Sequence, residues 1–298
     1  MMKLTSLICI LSLLLLACSG VADAKASHAF TKAPTLSTWL WDTSKIVSQT
    51  DVIIEDLAAN GVSLLHLQIN PAIEPGCYKD FIRKASQRGI RVHALDGAPE
   101  WVEAGGSALQ QTFLTWLQGY QQSASDKERF GGIHLDVEPY ESEGYEQNAN
   151  RYIENYQTMM RSFQEWADRN QLELGIDIPF WFHGVKYDNK YGAGFLAEWL
   201  CKQVKFITIM AYRDKAAGDE SILSVSAAQM KLFEKYQVRG SVAVETGKLA
   251  PDYSFVTFYA KKKEYMYEQL DQVYQRYKSN SAFEGIAIHH YDSWMKMT

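Results

Sequence analysis

The chain has 298 residues, of which 47% are hydrophobic and 22% charged, an ordinary composition for a globular protein. Its formal net charge of -5 argues against a nucleic-acid partner, because binding a phosphate backbone needs clustered Lys and Arg. The densest basic run, residues 261–263, is typical of a solvated helix surface. The length fits a single α/β barrel domain as well as two smaller domains.

Residues 1–17 predict a signal peptide. Lys3 supplies the positive charge, and Leu4 to Leu16 form an apolar stretch that is too short for a comfortable membrane span. The stretch ends in the sequence Leu15-Leu16-Ala17-Cys18. We therefore expect an exported protein.

The four residues that end this stretch resemble the lipobox of bacterial lipoproteins. The resemblance implies cleavage before Cys18 and lipid on that cysteine, so that the membrane becomes a partner through an N-terminal anchor. Ser19, where Asp would retain the protein in the inner membrane, implies the outer membrane of a Gram-negative cell. The alternative is an ordinary secretory signal cleaved near Ala22 or Ala24.

Residues 18–35 are rich in Ala, Ser, Lys and Thr and predict a flexible tether. No linker rich in Pro or Gly interrupts residues 36–298, which predict one domain and a monomer. Cys77 and Cys201 have no Cys or His at metal-ligand spacing and predict buried apolar side chains. Export permits a disulfide between them, but their spacing does not predict one.

Eight short apolar runs alternate with segments of helical period. The runs are Ser37 to Trp41, Ser63 to Ile69, Arg91 to Leu95, Gly132 to Val137, Leu172 to Ile178, Lys205 to Met210, Ser241 to Val244, and Gly285 to His289. Short apolar runs that are rich in Val and Ile predict buried parallel strands. Between them, stripes such as Tyr152, Tyr156, Met159 and Phe163 predict helices with one core-facing side.

Eight strands that alternate with helices predict a single (β/α)8 barrel. The alternative, a doubly wound open sheet, ordinarily has a glycine-rich phosphate loop after its first strand. Here that position reads Trp41-Asp42-Thr43-Ser44, without glycine, which favours the barrel. Because the chain stops soon after the eighth strand, the last helix is expected to be short or missing.

The active site of such a barrel lies at the C-terminal ends of its strands. Acids, amides and aromatics occur at nearly every predicted strand end, and this composition is typical of a carbohydrate cleft. The predicted substrate-binding residues are Trp41, Asp42, Gln68, Asn70, Asp96, His134, Asp177, Trp181, His290 and Trp294.

The segment from Phe130 to Tyr140 carries the sharpest signal. Alternation along a strand places His134, Asp136 and Glu138 on one inward face. Polar groups that point into a barrel are costly unless they are paired or functional. The residue after Glu138 is proline, which ends the strand and leaves Glu138 at the rim.

This segment resembles the strand-four signature of chitinase-like family 18 glycoside hydrolases, Phe-Asp-Gly-Ile-Asp-Leu-Asp-Trp-Glu. The matching residues are Phe130, Gly132, Ile133, Leu135, Asp136 and Glu138. The departures are Gly131 and His134, where that family has Asp, and Val137, where it has Trp. Met210-Ala211-Tyr212 is similar to the Met-x-Tyr of its strand six, and Gly285 opens a similar strand eight.

The resemblance implies that Glu138 is the general acid. It also implies that Asp136 orients an acetamido group of the substrate and that Tyr212 hydrogen-bonds the same intermediate. A second interpretation pairs Glu138 with Glu245, since barrel glycosidases of the large retaining clan place their acid/base on strand four and their nucleophile on strand seven. Glycosidases need one protonated and one ionised carboxyl, and the sequence supplies that pair in both ways.

Other classes of function remain as alternatives. A non-catalytic barrel that binds a polysaccharide or a protein at the cell surface is the main rival, because a fold does not imply an activity. A structural envelope lipoprotein is a third option. His134, His289 and His290 raise a metal hypothesis, but strand one lacks the His-x-His of metal-dependent amidohydrolases. We expect neutral core imidazoles, no metal and no cofactor.

Overall fold

The computed structural model describes residues 33–298. The predicted signal peptide, Cys18 and nearly all of the predicted tether lie outside the described residues. The eight barrel strands are Thr35–Leu40 (β1), Leu64–Gln68 (β2), Arg91–Asp96 (β3), Gly132–Leu135 (β4), Glu173–Pro179 (β5), Phe206–Met210 (β8), Arg239–Glu245 (β9) and Phe283–His289 (β10). A separate hairpin consists of Lys186–Asn189 (β6) and Gly192–Phe195 (β7).

The helices lie between the strands. They are Thr50–Ala59 (α1), Pro75–Gln87 (α2), Gly106–Ser123 (α3), Tyr145–Asn170 (α4), Leu196–Gln203 (α5), Ile222–Tyr236 (α6), Lys263–Tyr277 (α7) and Tyr291–Trp294 (α8). Short 3-10 helices cover Thr43–Val47, Pro99–Val102, Pro139–Glu141, Phe180–Gly184 and Pro251–Val256. Among residues 33–298, the helices are too short or too polar to cross a membrane.

The strands close into a barrel in the order β1-β10-β9-β8-β5-β4-β3-β2, and all neighbouring pairs are parallel. The predicted (β/α)8 barrel is therefore confirmed. The open-sheet alternative is excluded, because β1 pairs with β10. The last helix has four residues, as expected from the position of the eighth strand. The first strand begins at Thr35, one residue before the predicted start of the domain.

Two apolar clusters follow from the alternation of side chains along the strands. Outward residues such as Ile133, Leu135 and Val137 pack against the helices in a large cluster. A much smaller cluster of Trp39, Leu95, Ala243 and Ala287 fills the inside of the barrel. Other inward positions carry polar side chains, together with the ring of Phe206, whose centroid is 6.0 Å from that of His134.

The helical stripes predicted from the sequence face the core. Tyr156, Met159 and Phe163 of α4 are at most 1% exposed. Both cysteines of the described chain are free thiols, with Cys201 buried and Cys77 half-buried. Burial raises the pKa of the Cys201 thiol to about 12, so it stays protonated at neutral pH.

Candidate active site

A cavity of about 180 Å³ lies at the C-terminal end of the barrel, where this fold places its active sites. It is formed by the ends of β4, β5 and β8 and by the segment after β9. Its lining consists of Glu138, Tyr140, Pro179, Phe180, Trp181, Met210, Tyr212, Arg213 and Val256. One carboxyl and several aromatic rings therefore share one concave surface.

Glu138 lies at the rim because β4 stops at Leu135 and Pro139 starts a 3-10 turn. The hydroxyl of Tyr140, two residues later, donates to Glu138 Oε1. Burial raises the pKa of Glu138, and the hydrogen bond from Tyr140 opposes that rise without cancelling it. The Tyr140 ring meets Trp181 edge-on with centroids 4.8 Å apart. Glu138 is thus a half-buried carboxyl with a raised pKa and a fixed orientation.

Asp136 lies one step deeper on the same inward face. In the β4–β5 register Leu135 is level with Ile176, so the next pair along the two strands is Asp136 and Asp177. The indole N–H of Trp39 donates to Asp177 Oδ2 at 3.0 Å. Burial and the mutual repulsion of the two carboxyls raise the pKa of Asp136 well above its ordinary value, and burial likewise raises the pKa of Asp177. We call these two residues the carboxyl pair.

The backbone around Asp136 is held by a close approach of Gly97. A Cβ at Gly97 would lie 2.2 Å from the carbonyl oxygen of Asp136, and the φ of Gly97 is +152°. Only glycine fits this contact. The Asp136 N–H donates to the carbonyl of Asp96 at 3.2 Å, which ties the end of β4 to the end of β3.

Glu245 and His289 form a second polar unit across the mouth of the barrel. Glu245 Oε2 lies 2.7 Å from His289 Nδ1, and Glu245 Oε1 accepts the backbone N–H of Gly247. Burial alone would raise the pKa of Glu245, but His289 and the Gly247 N–H outweigh it and hold that pKa below its ordinary value. Both carboxylate oxygens of Glu245 are therefore occupied.

Trp41 decides the protonation of His289. Its indole N–H can only donate, and it lies 2.9 Å from His289 Nε2. Burial lowers the pKa of His289. Glu245 raises it by more than burial lowers it, so the net shift is upward. The contact with Trp41 nevertheless requires an unprotonated Nε2, so the ring is neutral with its proton on Nδ1, pointing at Glu245.

Three imidazoles fill the barrel below the carboxyl pair, and we call His66, His93 and His134 the histidine layer. All three are fully buried, and burial holds the pKa of each below its ordinary value, that of His134 at about 3. Gly132 and Gly175 leave the space that these rings occupy, since a Cβ at Gly175 would lie 2.7 Å from His134 Nδ1.

The histidine layer does not fit a common metal ion in this arrangement. One nitrogen of each ring lies within 4.8 Å of the others. However, the ring centroids of His66 and His134 are only 3.7 Å apart at 34°. Two imidazoles that bind one ion edge-on, with metal–nitrogen distances of about 2.1 Å, have centroids roughly 5 Å apart. The rings therefore stack on one another instead of converging on a point.

Three predicted substrate-binding residues are corrected by the structure. His134 is fully buried in the histidine layer, because alternation puts it on the inward face but two residues too deep to reach a ligand. Trp294 is also fully buried, in α8 on the outside of the barrel, and its indole N–H donates to the Tyr267 hydroxyl at 3.2 Å. Asp177 is 3% exposed and supports the site from below instead of facing a ligand.

The other predicted residues lie at or near the rim. Glu138, Trp181 and Tyr212 share the cavity. Gln68 Nε2 donates to Asp96 Oδ1 at 3.0 Å, away from the cavity lining. Trp41 and His290 are half-buried at the ends of their strands. Asp42 and Asn70 are exposed.

Several residues that complete the site were not predicted from the sequence. Tyr140, Phe180 and Arg213 line the cavity, and Trp39 donates to Asp177. His289, which the sequence raised only as a metal ligand, contacts Glu245. The guanidinium of Arg213 lies over the rings of Phe180 and Phe255, at 4.9 and 5.5 Å from their centroids. Tyr140 could have been found, because a Tyr that follows Glu-Pro at a strand end is within reach of the Glu carboxyl.

No protein-family model matches the chain, and neither does any curated protein. Solved structures do match. A chitinase from Bacteroides thetaiotaomicron has a TM-score of 0.55 at 10% identity, over 88% of this chain and 92% of that one. A chitinase from Chromobacterium violaceum has a TM-score of 0.53 at 10% identity, over 87% and 96%. The spore cortex-lytic enzyme of Bacillus megaterium has a TM-score of 0.53 at 10% identity, over 85% and 70%. The chain thus has the (β/α)8 barrel fold that these chitinases share.

Proposed function

We propose that the protein is a glycoside hydrolase in which Glu138 donates the proton to the leaving oxygen. The observation that carries this proposal is that Glu138 lines the cavity as a half-buried carboxyl with a raised pKa. A general acid must be protonated near its working pH, and burial raises the pKa of Glu138 in that direction. The aromatic side chains around it, Tyr140, Trp181 and Tyr212, suit the apolar faces of sugar rings.

The surroundings of Glu138 favour one division of roles. Asp136 and Tyr212 assist it, since both belong to the same end of the barrel and Tyr212 lines the cavity. Glu245 is a poor nucleophile in this arrangement, because His289 and the Gly247 N–H occupy its two oxygens. We assign Glu245 to positioning His289. This supports the scheme built on Asp136 over the retaining pair of Glu138 and Glu245.

The substrate class follows from the cavity and from the structural neighbours. At about 180 Å³ the cavity is smaller than the roughly 300–1,000 Å³ that encloses a drug-sized ligand, so it covers only a short part of a glycan. The similar barrels are named as chitinases and as a spore cortex-lytic enzyme. We therefore propose that the substrate is a polysaccharide of the cell envelope or of the environment.

The test is glycan cleavage that depends on Glu138. The purified mature barrel is incubated with chitin oligosaccharides and with bacterial cell-wall glycan, and released reducing ends are measured. Glu138→Gln keeps the shape but cannot give up a proton, and we expect turnover to fall by about 10²–10⁴-fold. Glu143→Gln, at an exposed position on the following turn, is the matched control and should retain activity. Unchanged turnover in Glu138→Gln refutes the assignment.

A non-catalytic glycan-binding barrel is the second candidate. It is favoured by Gly131 and His134, which stand where the similar strand-four signature has aspartates. Isothermal titration calorimetry with the same glycans separates the two candidates. Binding without cleavage by the wild-type protein, unaffected by Glu138→Gln, would support the binding function.

We also propose that the protein is exported and anchored to a membrane through a lipid on Cys18, as the residues 15–18 indicate. Cells that express the full chain are labelled with radioactive palmitate and fractionated. We expect label on the protein and its recovery with outer membranes, and both should be lost in Cys18→Ser. Cys77→Ser is the control that should leave labelling unchanged. An unlabelled wild-type protein, cleaved near Ala22 or Ala24, contradicts the proposal.

A further inference from the structure

We infer that Asp177 is the positioning partner of Asp136, and that the carboxyl pair shares a single proton inside the barrel, below the cavity lined by Glu138. Through this proton Asp177 fixes the orientation in which Asp136 meets the substrate. The contact of Asp136 with substrate rests on the proposed function, whereas the shared proton does not. The two parts of the inference can therefore be tested separately.

The register of the sheet brings the two side chains together. Ile133, His134 and Leu135 of β4 are level with Leu174, Gly175 and Ile176 of β5. The next residues, Asp136 and Asp177, are thus neighbours on the same inward face of adjacent strands, whose backbones lie about 4.8 Å apart. The two carboxyls are near enough for Asp177 to raise the pKa of Asp136.

Asp177 is held by one hydrogen bond and lies against one imidazole. Its Oδ2 accepts the indole N–H of Trp39 at 3.0 Å. Its Oδ1 lies 2.9 Å from Nε2 of His134, without the alignment of a hydrogen bond. His134 is itself held by its stacking on His66. Asp177 therefore belongs to a rigid support and not to a mobile rim.

One oxygen of each carboxyl lacks a donor. Asp136 Oδ1 and Asp177 Oδ1 are sealed from solvent, and no donor in the described part of the chain bonds to them. A buried carboxylate oxygen without a donor is costly, and two adjacent carboxylates do not both ionise. One proton between the two groups removes both costs. Burial and the mutual repulsion that raise the pKa of Asp136 act in the same direction.

His134 explains why the partner lies on β5. At this position the similar strand-four signature has an aspartate beneath the residue that corresponds to Asp136. Here an imidazole takes the place, and Gly175 opposite leaves room for its ring. The imidazole then lies against Asp177. In this chain the second carboxyl is therefore on β5, one strand away from Asp136.

The shared proton is tested by infrared spectroscopy on the mature barrel labelled with ¹³C-aspartate. At pH 6.5 we expect the carbonyl stretch of one protonated aspartate, which separates from any glutamate signal by the isotope shift. The band should be absent from both Asp136→Asn and Asp177→Asn. It should persist in Asp126→Asn, whose side chain is 94% exposed. A wild-type protein without the band, or a band that survives in Asp177→Asn, overturns the inference whether or not the protein cleaves glycans.

The positioning role is tested by kinetics on the glycan that the wild-type protein cleaves. Asp177→Asn should lower kcat by about 10- to 100-fold with little change in KM, and should move the acidic limb of the pH profile. Because Asn can still accept from Trp39, the melting temperature at pH 7 should not fall. An unchanged kcat and pH profile overturns the positioning role. Absence of any turnover by the wild-type protein defeats the proposed function and leaves the infrared result to decide the shared proton.

Discussion

The two polar levels of the barrel interior differ in what burial does to them. The histidine layer is sealed on all sides, and burial keeps His66, His93 and His134 neutral by lowering the pKa of each. The carboxyl pair, one level higher, is driven towards protonation because burial raises the pKa of both residues. Burial thus keeps the histidine layer uncharged without a proton to release, whereas it favours a bound proton on the carboxyl pair.

β4 shows how sharp this change is. His134, Asp136 and Glu138 lie on one face of a single strand and its continuation, yet only Glu138 lines the cavity. Each of these three residues is two positions from the next, which is about 6.6 Å along a strand. Position along the strand therefore determines function here more than residue type does. The predictions below test whether the two levels are as different as this comparison requires.

The largest effect is expected on stability against pH. An unfolded histidine binds a proton below about pH 6.5, whereas the buried ones stay neutral down to a lower pH, about 3 for His134. The contribution of these histidines to the free energy of unfolding is therefore fully present above pH 6.5. It is lost as the pH falls, by about 1.4 kcal/mol per pH unit for each such histidine. The one proton of the carboxyl pair acts in the opposite direction, but three histidines outweigh it.

Urea denaturation between pH 4 and pH 7 measures this slope. His183→Gln, at an exposed position, should leave it unchanged. Asp177→Asn should make the loss in acid steeper, because it removes the opposing proton of the carboxyl pair. A flat stability curve over this range would mean that the histidine layer is not kept neutral.

A smaller effect is expected from filling the space beside the histidine layer. A methyl group in Gly175→Ala would lie 2.7 Å from His134 Nδ1 and 2.7 Å from Phe206 Cδ1. Overpacking of this kind costs about 1–3 kcal/mol of unfolding free energy. Gly184→Ala meets nothing within 4 Å and is the matched control. Equal stabilities of the two variants at pH 7 would show that the layer yields to a methyl group.

The smallest effect concerns the rim. Trp41→Phe removes the N–H that donates to His289 Nε2. With Nε2 free to take a proton, the carboxylate of Glu245 should raise the pKa of His289 further, by about one unit for a hydrogen bond worth about 1 kcal/mol. A histidine titration by NMR measures the shift. A pKa that stays the same or falls would contradict the neutral tautomer assigned to His289.

The sequence was sufficient to predict the barrel and the inward face of β4. Short apolar runs identify buried strands, and Pro139 marks where β4 must end, so Glu138 could be placed at the rim. Alternation also placed Ile133 and Leu135 correctly towards the helices. These features depend on local pattern, which the sequence carries directly.

Depth and pairing across strands could not be read from the sequence. Alternation states which face a residue occupies but not how far it lies from the mouth, and for this reason His134 was wrongly placed among the substrate-binding residues. The neighbour relation of Asp136 and Asp177 depends on the register of two strands that are about forty residues apart. The β6–β7 hairpin was missed because β7 is exposed along its whole length and lacks the apolar alternation that marks a strand.

The fluorescence of Trp39 is sensitive to both polar levels of the barrel interior. Its indole lies 5.0 Å from the ring of His66 and 5.3 Å from that of His289, and its N–H is bonded to Asp177. An indole excited state is quenched by a neighbouring imidazolium and shifts in wavelength with the charge on its hydrogen-bond acceptor. The emission of this one side chain, obtained as the difference from Trp39→Phe, therefore reports the protonation of His66, His289 and Asp177.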